Sequence, residues 1–261
     1  MPTPWTKQVA ELRHDTEDSG RLQTYLLVDP AATHDLGVRL PPHDEQLCCS
    51  IVDEERIATA GIKPFVVWLE GDEAHAQRLL DAWGRHCAQA NCLSVLRSRA
   101  NLWPLANALR KRTGITLAGG LSAVLRIADT RIMPAVWPLL TLPQQLCLGQ
   151  EIAQWACTDR DGQLQLLNWP APGAREQLAP DTSIRLTQHQ EDAMLAASQA
   201  DRVMPELGHD FMTLTERWSG HRRWQWVSEA VEQARKAGVE GLLDLIVHCD
   251  EMAQRARGVS R

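Results

Sequence analysis

Apolar residues fall into two patterns along the first part of the chain. Short apolar-rich runs at 22–28, 65–69 and 92–96 read as strands, the continuous run Phe65-Val66-Val67-Trp68-Leu69 as one buried on both faces. Helical spacing marks Trp5, Val9 and Leu12 within 5–18, and then Ala76, Leu79, Leu80, Trp83 and Cys87 behind Glu70-Gly71-Asp72. Strand, helix and strand over 65–96 form a βαβ unit, for which a right-handed crossover is expected. Asp29-Pro30 stops the first strand, because proline lacks a ladder donor and restricts its predecessor. Residues 31–44, stiffest at Pro41-Pro42, read as loop, and 47–52 as a minor strand. Asn101 opens a helix carrying Leu102, Leu105, Ala106 and Leu109; it tolerates Pro104 in its first turn and closes at Gly114.

The stretch 116–155 organises what surrounds it. Gly119-Gly120 is a turn, and 121–127 is apolar and β-branched enough for a buried strand, interrupted only by Arg126. Asp129 is placed to N-cap a helix whose Ile132, Val136, Leu139 and Leu140 share a face. Pro143 restarts the chain as a second short helix, and 153–157 with 164–167 then form a hairpin around Asp161-Gly162.

The composition shifts at 169–183, where three prolines and no periodic apolar face read as a linker. Beyond it only helical spacing is found. Thr187 and Gln190 make a capping box for a helix with Ala193, Ala197, Ala200, Met204 and Leu207 on one side, kinked at Pro205. Phe211, Leu214 and Trp218 mark a short helix. Trp224, Val227, Val231 and Ala234 mark the next, ended by Gly238, and Leu242, Leu245, Ile246, Cys249 and Met252 the last. The fold class expected is therefore α/β, of α+β character. A mixed-sheet α/β lobe over 1–168 is followed by a Pro-rich linker over 169–183 and an all-helical lobe over 184–261.

Composition narrows the function. The 261 residues carry a formal charge of −6, which argues against a nucleic-acid partner. Seven cysteines without regular spacing, and an N-terminus lacking a leader pattern, suit a reducing cytoplasm. No apolar run approaches the roughly 20 residues of a membrane helix, so no membrane partner is expected. No cofactor and no metal are expected either. His43 with Cys48 and Cys49, His86 with Cys87 and Cys92, and His248 with Cys249 all lack paired zinc spacing. Cys87, Cys92 and Cys249 fall on core faces, where a thiol acts as a small hydrophobe. Nucleophile-elbow, P-loop and dinucleotide signatures are absent.

Two groups of residues stand out. Arg126, Asp129 and Arg131 read first as architecture, with Asp129 capping and an arginine pairing with it; a partner-facing charge cluster is the alternative. Asp29 reads as a turn starter, although strand ends are also where open sheets place ligands. The second group is Trp218-Ser219-Gly220-His221-Arg222-Arg223-Trp224-Gln225-Trp226. Ten tryptophans against one tyrosine and two phenylalanines make this concentration of Trp and Arg a candidate interface. A helix–helix corner with Trp in the core and Arg in solvent is the foremost competing reading, and stacking on single-stranded nucleic acid, opposed by the acidic chain, is the third. Trp218, Arg222, Arg223, Trp224 and Trp226 are the candidate partner-binding residues.

Arg126-Ile127-Ala128-Asp129-Thr130-Arg131, the Leu/Pro-rich helix after it, Thr141-Leu142-Pro143-Gln144-Gln145 and Trp155 resemble the signature of the type VI secretion effector chaperones or adaptors. Members usually read Arg-aromatic-aromatic-Asp-Pro-Arg; here both aromatics and the proline are missing. Thr24-Tyr25-Leu26-Leu27-Val28-Asp29 is similar to the family's opening strand, and the likeness extends over 22–167. It implies a cytoplasmic adaptor without chemistry of its own that binds a toxic effector and assists its loading onto the secretion spike tip. Its motif residues Asp29, Arg126, Asp129, Arg131, Gln145 and Trp155 are implied to be structural. The rival is a hydrolase with its site at the strand ends near Asp29, Arg126 and Asp129.

Overall fold

A computed structural model describes residues 4–14, 22–30, 48–52, 63–69, 73–87, 92–168 and 183–259. The readings that fall on 15–18, 31–44, 70–72 and 169–182, and on the side chains of His86 and Cys87, lie outside the described residues. The chain divides into two compact units, Met1–Glu191 and Asp192–Arg261.

In the first unit, α1 (Pro4–His14) precedes β1 (Gln23–Val28), β2 (Cys48–Ser50) and β3 (Phe65–Trp68). Then come α2 (Glu73–Cys87), β4 (Leu93–Ser98) and α3 (Leu102–Thr113). The six-stranded sheet runs β2-β3-β1-β4-β7-β8 and is antiparallel at every pairing. The expected strand, helix and strand are present, but β1 lies between β3 and β4, opposite Trp68 and Leu96 at Tyr25. The crossover therefore spans a strand. Central position explains the apolar-rich runs: β4 is buried throughout, its Ser94, Arg97 and Ser98 included, and β1 is buried at every residue after Gln23. Trp5, Val9 and Leu12 of α1 and Leu80 and Trp83 of α2 pack with Leu26, Val28, Val67, Leu93 and Val95 in one core cluster. Trp5 Nε1 donates to Thr158 Oγ1 at 2.9 Å, so its buried ring meets the polar-group requirement within the fold.

The second sheet is small and mixed. It is formed by β5 (Gly114–Thr116), β6 (Ser122–Val124) and β9 (Ile184–Arg185) in the order β6-β5-β9, antiparallel on one side and parallel on the other. Gly114 closes α3 by passing directly into β5 at φ −72°, without a left-handed cap. Gly120, at φ +82°, makes the β5–β6 turn. The expected buried strand over 121–127 is corrected here. Only 122–124 is strand, at an edge and partly exposed, and Leu121 is exposed. Of that run, Ile127 reaches the interior.

Next come α4 (Met133–Val136), a 3-10 turn (Trp137–Leu139) and α5 (Leu142–Leu148), followed by the hairpin of β7 (Ile152–Thr158) and β8 (Leu164–Leu166). Its turn has Gly162 at φ +78° and is closed by Asp159 N–H donating to Gln163 O at 2.8 Å. The helix α6 (Gln188–Val203) begins in the first unit and continues into the second.

The second unit adds a 3-10 turn (Met204–Glu206) at Pro205, α7 (His209–Leu214), α8 (Gly220–Lys236) and α9 (Leu242–Val259). Its core draws on all four helices: Ala200, Val203, Phe211, Val227, Val231, Leu245, Cys249 and Ala253. Gly238, at φ +86°, terminates α8, with Val239 N–H returning to Ala234 O at 3.0 Å. Asp250 of α9 accepts from Gly208 N–H at 2.9 Å, ahead of α7.

Candidate functional site

Asp29, Arg126, Asp129 and Arg131 meet at one corner of the first unit. Asp29 follows β1, where its N–H extends the ladder to Cys92 O at 2.9 Å. Its side chain is 2% exposed and accepts from Arg126 Nη2 at 2.9 Å. The same guanidinium nitrogen lies 3.4 Å from Asp129 Oδ2. Asp129 is fully buried and takes Arg131 in a two-point grip, Nε to Oδ1 at 2.9 Å and Nη2 to Oδ2 at 2.8 Å. Two buried carboxylates thus face two arginines that reach solvent, 49% and 32% exposed. Burial pushes the Asp129 carboxyl up, but the hydrogen bond and charge of Arg131, with the charge of Arg126, outweigh it and hold the group below its ordinary value.

Asp129 was expected to N-cap the next helix. Instead α4 starts at Met133 with Ile132 at its N-cap position, and a turn over 130–132 intervenes. The Asp129 carboxylate accepts Arg131 N–H at 3.2 Å, and its carbonyl accepts from Ile132 and Met133. The aspartate organises the turn into the helix because its side chain is already committed to the arginines. Arg160, which the sequence reading passed over, donates to Arg131 O at 3.1 Å and ties the β7–β8 turn to the corner.

The remaining motif residues hold the chain just behind it. Gln145 Nε2 donates to Trp137 O at 2.8 Å, and the Trp137 ring lies 6.2 Å from that of fully buried Trp155. Trp137 Nε1 in turn donates to Asn168 O at 2.8 Å. Gln144 accepts Thr141 N–H, and Gln190 accepts Thr187 N–H, so two capping boxes start α5 and α6. The two glutamines also bond to each other, Gln190 Nε2 to Gln144 Oε1 at 2.7 Å. The spacing Thr-x-x-Gln occurs at both places in the sequence; their pairing had no sequence signal.

In the second unit Ser219 caps α8, accepting Arg222 N–H at 3.3 Å. Trp218, Trp224 and Trp226 are each half-buried. Trp226 lies 5.5 Å from Phe211, Trp224 lies 6.1 Å from His221, and Arg222 stands 4.4 Å over the Trp218 ring. Arg223 donates to the carbonyls of Thr215 and Glu216 at the end of α7.

Other candidate chemistry is sparse. Among the described residues no three His, Cys, Asp or Glu side chains gather as metal ligands. Cys92 and Cys249 are buried, and burial, helped by Asp250, pushes the Cys249 thiol up to about 11. Burial likewise pushes Cys157 up to about 12. An open cavity of about 480 Å³ on the small sheet is lined by residues that include Lys111, Thr116, Ser122 and Ser183, and none of Asp29, Arg126 and Asp129 lines it. No helix of the described residues is long and apolar enough to cross a membrane.

The chain's residues 24–147 match the model of one protein family, the domain of unknown function DUF4123. The matched span opens in β1, includes the whole corner and ends in α5 behind Gln145. Over that span the chain is similar to DUF4123. The family is that of the type VI secretion effector adaptors. No curated protein and no solved structure matches the chain.

Proposed function

We propose that this protein is a cytoplasmic adaptor that holds a toxic effector and assists its loading onto the type VI spike tip, by binding and without chemistry of its own. The observation that carries the reading is the family match over 24–147, together with the role its motif residues take. The Asp29–Arg126–Asp129–Arg131 corner neutralises both buried carboxylates with arginines. A hydrolase at the strand ends needs a carboxylate free to meet its substrate, whereas both oxygens of Asp129 are engaged by Arg131, and Arg126 stands beside one of them. The corner is a structural tie joining the end of β1, the exit from β6 and the turn into α4. In this reading the partner meets half-buried aromatic and basic side chains elsewhere, among them Trp218, Arg222, Arg223, Trp224 and Trp226. Interfaces concentrate their energy in such anchors.

The test is co-purification with the toxin encoded beside the adaptor gene, followed by secretion from cells lacking the adaptor. The expected result is a stable complex in the producing cell and loss of that toxin's secretion alone. A toxin that stays soluble, binds nothing and is secreted normally without the adaptor would falsify the reading.

A further inference from the structure

Cations are distributed unevenly over the second unit. From Arg217 to Ser228 the chain has three arginines, His221 and three tryptophans, and no acidic residue. Arg217, His221 and Arg222 are exposed, and the first turn of α8 holds no acid. Elsewhere in the unit three basic side chains have carboxylate partners, Lys236 with Glu232 at 2.7 Å, Arg255 with Glu251 at 2.9 Å, and Arg257 with Asp210, while Arg202 and Arg235 stand singly on other helical turns. Among the described residues Arg217, Arg222 and Arg223 have none. Arg223 is committed to two carbonyls, which leaves Arg217 and Arg222 as outward-facing guanidinium groups beside half-buried Trp218.

We infer that this surface docks an acidic segment of a partner protein, whose carboxylates pair with Arg217 and Arg222 while an apolar residue packs beside Trp218. The inference rests on the adaptor reading above and names the chemistry of the segment such an adaptor would hold. Arginine suits it because its planar fork meets a carboxylate at two points and is desolvated at lower cost than an ammonium. Single-stranded nucleic acid fits less well. Each tryptophan ring already has a guanidinium or another ring beside it, and the chain's charge of −6 opposes a polyphosphate beyond the patch.

The experiment measures fluorescence anisotropy of a labelled peptide of repeating Glu-Asp-Leu with the full-length protein. The Arg217→Gln/Arg222→Gln double variant and labelled oligothymidylate serve as comparisons. Both arginines are exposed, so the variant should keep the wild-type melting temperature. The expected result is salt-sensitive binding of the acidic peptide that weakens at least about tenfold in the double variant. Absence of binding, or binding the variant leaves unchanged, overturns the proposal, as does tighter arginine-dependent binding of oligothymidylate. The neighbouring toxin separates the two readings. If wild type and variant capture it equally, the acidic-segment proposal fails and the adaptor reading stands. If neither captures it while the peptide still binds through the arginines, the adaptor reading fails and the surface assignment stands.

Discussion

Asp129 is the residue on which most of the corner's electrostatics converge, because it alone is shared by both arginines. Replacing it with alanine leaves Arg126 with only Asp29 and Arg131 without its two-point partner. Both guanidinium groups reach water, so the loss is smaller than for a sealed ion pair; Asp129→Ala should cost about 2 kcal/mol in urea unfolding. Partner capture per folded molecule should not change. The pH dependence has a definite sign. An acid that ionises more readily in the fold stabilises it at all pH values above its unfolded pKa of about 3.9. That contribution is lost as pH falls through the lower folded value. Below about pH 4 the wild-type urea midpoint should therefore drop more steeply than that of Asp129→Asn. Superimposable acid profiles would show that the carboxylate contributes nothing. Asp29 reads first as a turn starter, because Asp before Pro is an ordinary one, and only the rival hydrolase reading put it beside Arg126 and Asp129. Its tie to Arg126 links residues 97 apart in sequence.

At the scale of elements, what was legible followed from burial. β1, β3 and β4, α2, and the hairpin of β7 and β8 lie within a residue or two of where periodicity puts them. The insertion of β1 between β3 and β4 was not legible, because strand order is set by which edges remain open during assembly, and local pattern carries no record of it. The run 121–127 misled for a related reason. Apolar residues feeding a buried turn look the same as apolar residues in a buried strand, yet only Ile127 and Ala128 are enclosed. The capping boxes show the opposite case, a local signal whose nonlocal consequence was hidden. Gln190 accepts Thr187 N–H and donates both to Leu139 O at 2.8 Å and to Gln144. Gln190→Ala removes these bonds at a largely buried position, and a loss of about 2 kcal/mol is expected. Gln144→Ala in the same background should add less than it costs alone, because the pair is broken once. Thermal melts of the two single variants and the double variant test this. Full additivity would mean that the two glutamines act only as separate caps.

Over the whole molecule, two hydrophobic clusters among the described residues draw on separate stretches of chain. Every residue of the sheet cluster, from Trp5 to Ala156, belongs to the first unit, and every residue of the helical cluster, from Ala200 to Ala253, to the second. The family match also ends before the second unit begins. Apolar burial is the main stabilising term in folding, so a fragment that retains a whole cluster retains most of what holds it together. Residues 1–191 keep the sheet, the Asp129 corner and the Thr187–Gln190 cap, and a chain of this length can bury a sufficient core. This fragment should melt cooperatively, with the near-ultraviolet dichroism expected of packed Trp83, Trp137 and Trp155. It should also show no measurable binding of the Glu-Asp-Leu peptide, because Arg217, Arg222 and Trp218 are gone. The two readouts are independent. A fragment without a cooperative transition would show that the sheet unit depends on residues 192–261 for its fold. A folded fragment that still bound the acidic peptide would move the docking surface to the span that matches the family, with Lys111 beside the small-sheet cavity as the next basic residue to replace.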